Sequence, residues 1–164
     1  MGRPKITLLA DAVEYVRRAV SSRRTVKCPC CSKRCHADRR RFNRDMAKVL
    51  VLMCKYREKY PADEWIHVTR LLNKLGVKTG RDWPRLKYWG LIEECPNSVR
   101  GRRGFWRVTR SGVAFAKGQT QVQQVKYTFN DGVVEIDTAE SRVMIDIHTA
   151  LSGFSFTEDD LWAL

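Results

Sequence analysis

Between Asn43 and Gly118 the chain alternates helix and strand signals in short pieces, each closed by a proline, a glycine or a polar cap. Asn43 opens "RDMAKVLVLMCKYREKY", where Phe42, Met46, Val49, Leu50 and Met53 repeat at helical spacing and Pro61 ends the run. "EWIHV" follows as a strand, with Ile66 and Val68 on one side and Trp65 and His67 on the other. Thr69 is the expected cap of "RLLNKLG", whose Leu71, Leu72 and Leu75 face inward and whose Gly76 stops it. Asp82 is the expected cap of a short helix, "WPRLKYWG", with Pro84 in the first turn and Gly90 just beyond. "LIEEC" then reads as a strand, "PNSVRGRRG" as a loop, "FWRVT" as the returning strand, and "RSGVAFAKG" as a further helical turn.

This order is helix, strand, helix, turn, helix, strand, loop, strand. It resembles the winged helix, a helix-turn-helix with a β-hairpin attached, and "LKYWGLIEE" with "GFWRVTRSGVAFA" resembles the recurring end of such domains. "CPCC", "FNRDMAKVLVLM", "EWIHV", "LKYWGLIEE" and "GFWRVTRSGVAF" together also resemble a group of uncharacterised bacteriophage proteins, in which a cysteine knuckle precedes a winged helix. The tail pieces "VKYTFNDGVVEID" and "MIDIHTALSGFSFTEDDL" extend that resemblance over most of the chain. Cys30, Cys35 and His36 are additions to the pattern. The resemblance implies an architecture and a viral origin, not an activity.

The flanks complete an α+β reading: a winged helix-turn-helix with an N-terminal helix and zinc knuckle and a small β-rich C-terminal extension. Residues 7–20 place Leu8, Leu9, Ala12, Val13, Val16 and Val20 on one helical face after a capping Thr7. In the tail, "VKYTF" and "VVEID" flank "NDG", a hairpin signal, and "RVMIDI" is a candidate third strand with Val143, Ile145 and Ile147 on one face. Three segments are expected: 1–42, the helix and cysteine knuckle; 43–118, the winged helix; and 119–164, the acidic tail.

Charge separates these segments. The chain carries a formal +13. After residue 118, two cations stand against eight carboxylates, a net −6, which leaves the first 118 residues at +19. A basic body points to a polyanion partner. The first twenty residues hold Arg3, Lys5, Asp11, Glu14, Arg17 and Arg18 with no long apolar run, so neither a signal peptide nor a membrane span is visible. A cytoplasmic location is expected, the host's if the protein is viral.

A reducing compartment gives "CPCCSKRCH" its meaning, because clustered cysteines there favour metal over disulfide. Cys28 and Cys31 form a Cys-x2-Cys pair that can aim two thiolates at one ion, and Cys35 and His36 lie within reach beyond "SKR". Structural Zn2+ held by Cys28, Cys31, Cys35 and His36 is the expectation, with Cys30 or a distant residue such as Cys95 as alternative fourth ligands. The competing readings are reduced, buried cysteines and a thiol switch. Cys54 reads as a small core residue. No Gly-rich phosphate loop, paired carboxylates or His–Cys nucleophile arrangement stands out, so no enzyme is expected.

In helix-turn-helix domains the second helix enters the major groove, where arginine can read guanine. Trp83 and Leu86 should then face the core and turn Arg85 and Tyr88 outward, with Lys87 at the side and Arg81 at the entrance. Arg100, Arg102 and Arg103 on the wing suit phosphate or minor-groove contact. Arg39, Arg40, Arg41 and Arg44 are expected to add phosphate contacts near a helix start. The leading function is a DNA-binding phage gene regulator acting on double-stranded DNA, with RNA as the other polyanion. The alternative is a module that binds and inhibits a host protein, with the winged helix as scaffold and "FSFTEDDLWAL" as contact. That tail could equally cover the protein's own basic face, and a homodimer is compatible with either function.

Overall fold

The computed structural model describes residues 9–96 and 104–152. In chain order these form α1 (Leu9–Ser21), β1 (Val26–Lys27), β2 (Arg34–Cys35), β3 (Asp38–Arg41) and α2 (Arg44–Lys59). Next come β4 (Ile66–His67), α3 (Val68–Lys74), a 3-10 helix (Trp83–Trp89), β5 (Ile92–Glu94), β6 (Phe105–Val108) and α4 (Arg110–Ala116). β7 (Val122–Gln123), β8 (Val125–Phe129), β9 (Gly132–Val134), β10 (Met144–Ile145) and α5 (Ile147–Leu151) complete the described chain. The architecture is α+β with small antiparallel sheets. No described helix is long and apolar enough to cross a membrane.

Two compact units share the chain, each built from two stretches. The first takes the described residues up to Arg41 together with Val125–Arg142. It holds α1, the β1–β2 hairpin and a sheet ordered β3-β8-β9. The "NDG" signal is realised as a hairpin whose tip is Asn130 and Asp131, at φ 48° and 61°, between paired Phe129 and Gly132. Two left-handed residues make a two-residue turn whose twist matches that of its strands. The third strand of this sheet is β3. The expected third strand, "RVMIDI", instead yields only β10, which pairs with β7; Val143 is exposed and Ile147 opens α5. A small core gathers Val125, Tyr127 and Ile136. On α1, Ala12, Val16, Ala19 and Val20 are buried, but Leu9 and Val13 are 72% and 49% exposed, so the buried stripe is narrower than the apolar one in the sequence. Thr7 and Leu8 lie outside the described residues.

The second unit is Phe42–Gln124 with the chain from Val143 onward. Asn43 caps α2 as the sequence implies, its Oδ1 accepting from the Met46 N–H at 3.0 Å. Met46, Val49, Leu50 and Met53 are then fully buried against Leu86, Leu91 and Phe115. Phe42 meets both Trp89 and Phe115 edge-on, each with ring centroids 5.4 Å apart. A second sheet runs β4-β6-β5, pairing Ile66 with Trp106 and Ile92 with Val108.

Two caps differ from expectation. α3 begins at Val68, one residue before Thr69, and its cap is His67, whose Nδ1 accepts from the Arg70 N–H at 3.4 Å. Asp82 sits in right-handed helical backbone, and its side chain makes no capping bond to the helix after it; only its carbonyl does, accepting from the Arg85 N–H at 2.9 Å. That helix is 3-10 rather than α. Trp83, Leu86 and Trp89 recur every three residues, and three residues per turn stacks them on one face. Leu86 and Trp89 are buried, and Trp83 sets its ring edge-on to Trp106 at 5.4 Å. Trp89 Nε1 donates to the Gln123 carbonyl at 2.6 Å, giving the buried indole its partner. Gly90 ends the turn in the left-handed region, at φ 68°.

Candidate nucleic-acid interface and cysteine cluster

In the second unit, burial of Leu86 and Trp89 sets which side of the 3-10 helix meets solvent. The Arg85 side chain is 42% exposed and pairs with Asp82, Nη1 to Oδ1 at 2.6 Å. Arg81 is exposed just ahead of it. Lys87 lies over the Tyr88 ring, Nζ 5.3 Å from the centroid. Tyr88 departs from expectation: although a 3-10 turn stacks it over Arg85, it is half-buried and packs on the hydrophobic core. Arg44 is exposed, its Nη2 donating to the Ser152 carbonyl at 2.9 Å. Arg100, Arg102 and Arg103, in the chain joining β5 to β6, lie outside the described residues.

One cation on this sheet escaped the sequence reading. Arg107 pairs with both Glu93 and Glu64, and its guanidinium lies 4.7 Å from the Trp65 ring centroid. The bonds to Glu93 and Glu64 hold its pKa above the ordinary arginine value. Its cross-strand register with Glu93 explains the pairing. A cation so matched is a strut of the sheet rather than a free contact for phosphate.

The "RRR" stretch is a strand, which ends at Arg41, shortly before the Asn43 cap in sequence. β3 pairs with β8 so that Arg39 faces Tyr127, Arg40 faces Lys126 and Arg41 faces Val125. Alternation divides these arginines between the two sheet faces. Arg40 is half-buried, its Nε donating to Thr128 Oγ1 at 3.2 Å and its Nη2 to Asp38 Oδ2 at 3.0 Å. Arg39 and Arg41 are exposed on the other face.

The cysteines cluster at the tip of the β1–β2 hairpin. Val26 pairs with Cys35, Lys27 with Arg34, and the Cys28 N–H donates to the Lys33 carbonyl at 2.7 Å. The Ser32 N–H closes the turn on the Cys28 carbonyl at 2.9 Å. Backbone N–H groups of Cys31 and Cys30 hydrogen-bond the Cys28 sulfur and bring its thiol below the ordinary cysteine value. Burial, followed by the Cys28 charge, raises Cys30; burial, followed by the charges of Cys28 and Cys31, raises Cys35. With Leu9 and Val13 of α1, the four sulfur-bearing residues line a hollow of about 310 Å³. His36 points its Nε2 at Asp38 Oδ1, 3.3 Å away.

As placed, no three His, Cys, Asp or Glu side chains among the described residues are arranged to hold a metal ion. The donor chemistry still suits zinc: four thiols within nine residues, and one sulfur already supported by backbone N–H groups. Cys95 is buried in the second unit and Cys54 on α2. Burial pushes the Cys54 thiol up to about 12. In metal-free protein at about pH 8, iodoacetamide should therefore modify Cys28 early and spare Cys54 until the chain unfolds. Peptide mass spectrometry over time reads the order, and equal rates at the two sites would contradict it.

No family model matches the chain, and neither the curated proteins nor the solved structures contain a significant match.

Proposed function

We propose that the chain binds double-stranded DNA, that its second unit works as a winged helix, and that a structural Zn2+ supports the cysteine cluster of the first. The supporting observation is the Trp83–Trp89 helix. It buries Leu86 and Trp89, carries Arg85 and Lys87 with Arg81 at its entrance, and leads directly into a hairpin whose connecting chain contains Arg100, Arg102 and Arg103. In this reading Arg85 exchanges its exposed pairing with Asp82 for guanine O6 and N7, and the wing arginines meet phosphate. Such an exchange is favourable because an exposed ion pair contributes little by itself. A role in phage gene regulation inside a host cell is part of this proposal; the resemblance to bacteriophage proteins supports only the viral origin it assumes.

Fluorescence anisotropy on a random-sequence duplex across a salt series tests this. The wild type should bind with a log–log salt slope of roughly −5. Replacing Arg85, Arg100, Arg102 and Arg103 with alanine should flatten that slope by about 3 units and weaken binding at least ~30-fold. Absence of duplex binding at low salt, with a host protein captured by the intact chain but not by one ending at residue 152, would transfer the function to the host-protein inhibitor.

A further inference from the structure

Arg39 and Arg41, expected from the sequence to contact phosphate, belong in the first unit to a group of charges that the sequence does not show. Arg39 and Arg41 alternate along β3 and so share a sheet face, opposite Tyr127 and Val125 of β8. Arg23, which follows α1 with φ at 57°, holds its guanidinium 5.6 Å from the centroid of the Tyr127 ring. Glu140 meets the group from the chain after β9: Arg39 Nε donates to its Oε2 at 2.6 Å. That bond, with added charge from Arg23 and Arg41, holds the Glu140 carboxyl below its ordinary value. Arg39 thus bonds the carboxylate directly, while Arg23 and Arg41 act on it through their charge alone. Arg40, with its partners Asp38 and Thr128, belongs to the opposite face and does not alter that balance.

A second observation comes from Tyr127 itself. The residue is only 4% exposed, yet its hydroxyl has no hydrogen-bond partner among the described residues. Buried phenols almost always find one. The Tyr127 ring lies under Arg23 and pairs across the strands with Arg39, so a donor without an acceptor belongs to the same sheet face as these cations, a place that suits another anionic oxygen. Guanidinium groups match the tetrahedral oxygens of phosphate in pairs, whereas Glu140 engages Arg39 through a single hydrogen bond.

We propose that Arg23, Arg39, Arg41 and Tyr127 form a phosphate-binding site, and that Glu140 is an internal carboxylate which a nucleic-acid backbone phosphate displaces. The source of that phosphate rests on the DNA-binding reading; the anion chemistry does not. Glu140 then acts as a built-in competitor, making the first unit a salt-sensitive second contact with the nucleic acid, separate from the Trp83–Trp89 helix.

Two probes, inorganic phosphate and a random-sequence duplex, separate the site from the reading beneath it. Phosphate should shift the arginine Nε–H signals of Arg23, Arg39 and Arg41 saturably in NMR. Glu140→Gln should tighten phosphate about fivefold, and Arg39→Ala with Arg41→Ala should abolish the shifts. Tyr127→Phe should melt no lower than wild type, since no hydrogen bond is lost, yet bind phosphate several-fold more weakly. On duplex, the Arg39/Arg41 double variant should flatten the salt slope by about 2 units with Arg85 intact. No saturable shift in either the wild type or Glu140→Gln overturns the site, whatever the duplex does. Phosphate binding with no duplex binding overturns the assignment to nucleic acid. An unchanged salt slope in the double variant, with Arg85→Ala still weakening duplex binding, overturns the second contact and leaves the DNA reading standing.

Discussion

Gly112→Ala is expected to cost upwards of about 4 kcal/mol and to lower the melting temperature by roughly 10 °C or more. A Cβ built on Gly112 would lie 2.1 Å from the Leu91 carbonyl oxygen and 2.8 Å from Val108 Cγ1. A flexible side chain could swing aside, but Leu91 offers backbone, and that backbone is committed. Its carbonyl accepts from the Thr109 N–H at 3.1 Å, and its N–H donates to Leu86 at 3.3 Å. Thr109 in turn donates its hydroxyl to the Gly90 carbonyl at 2.6 Å and caps α4 by accepting from the Gly112 N–H at 3.0 Å. Relieving the clash therefore pulls apart the junction of the 3-10 helix, β5 and α4. Ala114→Gly on the same helix is the control: it removes only helix propensity, worth about 1 kcal/mol. Circular dichroism melts compare the two. A Gly112→Ala protein melting within about 2 °C of wild type would show that α4 does not approach Leu91 so closely.

The contrast between these glycines shows what was legible in the sequence. Signals carried by neighbours in the chain were readable: the Asn43 cap, the spacing of Met46, Val49, Leu50 and Met53, the left-handed Gly90, and the "NDG" hairpin. Gly112 was not readable, because its constraint comes from Leu91, which the fold brings beside it. β3 was missed for a related reason. Asp38–Arg41 is wholly charged and shows no apolar alternation; it is a strand only because Val125–Phe129 supplies the ladder from far along the chain. His67 took the capping role given to Thr69 because its ring reaches the Arg70 N–H. At the candidate sites, residue types were legible but partners were not. The sequence marks "RRR" as basic, while only folding sets Arg39 against Glu140 and Arg40 against Asp38 and Thr128. Arg23 and Tyr127 carry no local mark at all.

On the proposed zinc reading, removing the metal is expected to have the largest effect on this protein, and it falls on the first unit. β1 and β2 have two residues each, and a hairpin with so short a ladder is marginal in water by itself. Something must offset the cost of ordering the chain from Cys28 to Cys35, and the small core of Val125, Tyr127 and Ile136 contains none of it. A metal bond set can, since zinc binding in small domains contributes on the order of 10 kcal/mol of folding free energy. Protein purified under reducing conditions should carry about one zinc per chain by elemental analysis. A strong chelator should broaden the NMR signals of residues 24–41 and abolish the first unit's melting transition, with the second unit's transition kept. Cys28→Ser and Cys31→Ser should each lose the metal, whereas Cys54→Ser should retain it. Because thiolates bind the ion and thiols do not, acid should release zinc: stability is present at neutral pH and lost as pH falls and protons compete for the sulfurs. His36→Ala separates the ligand sets. Metal retention, in keeping with His36 turned towards Asp38, leaves the fourth position to Cys30 or Cys95, which Cys30→Ser then separates, and metal loss assigns it to the imidazole. Metal-free protein with an unchanged melt in chelator would leave these cysteines as ordinary reduced thiols and remove zinc from the account of how this unit folds.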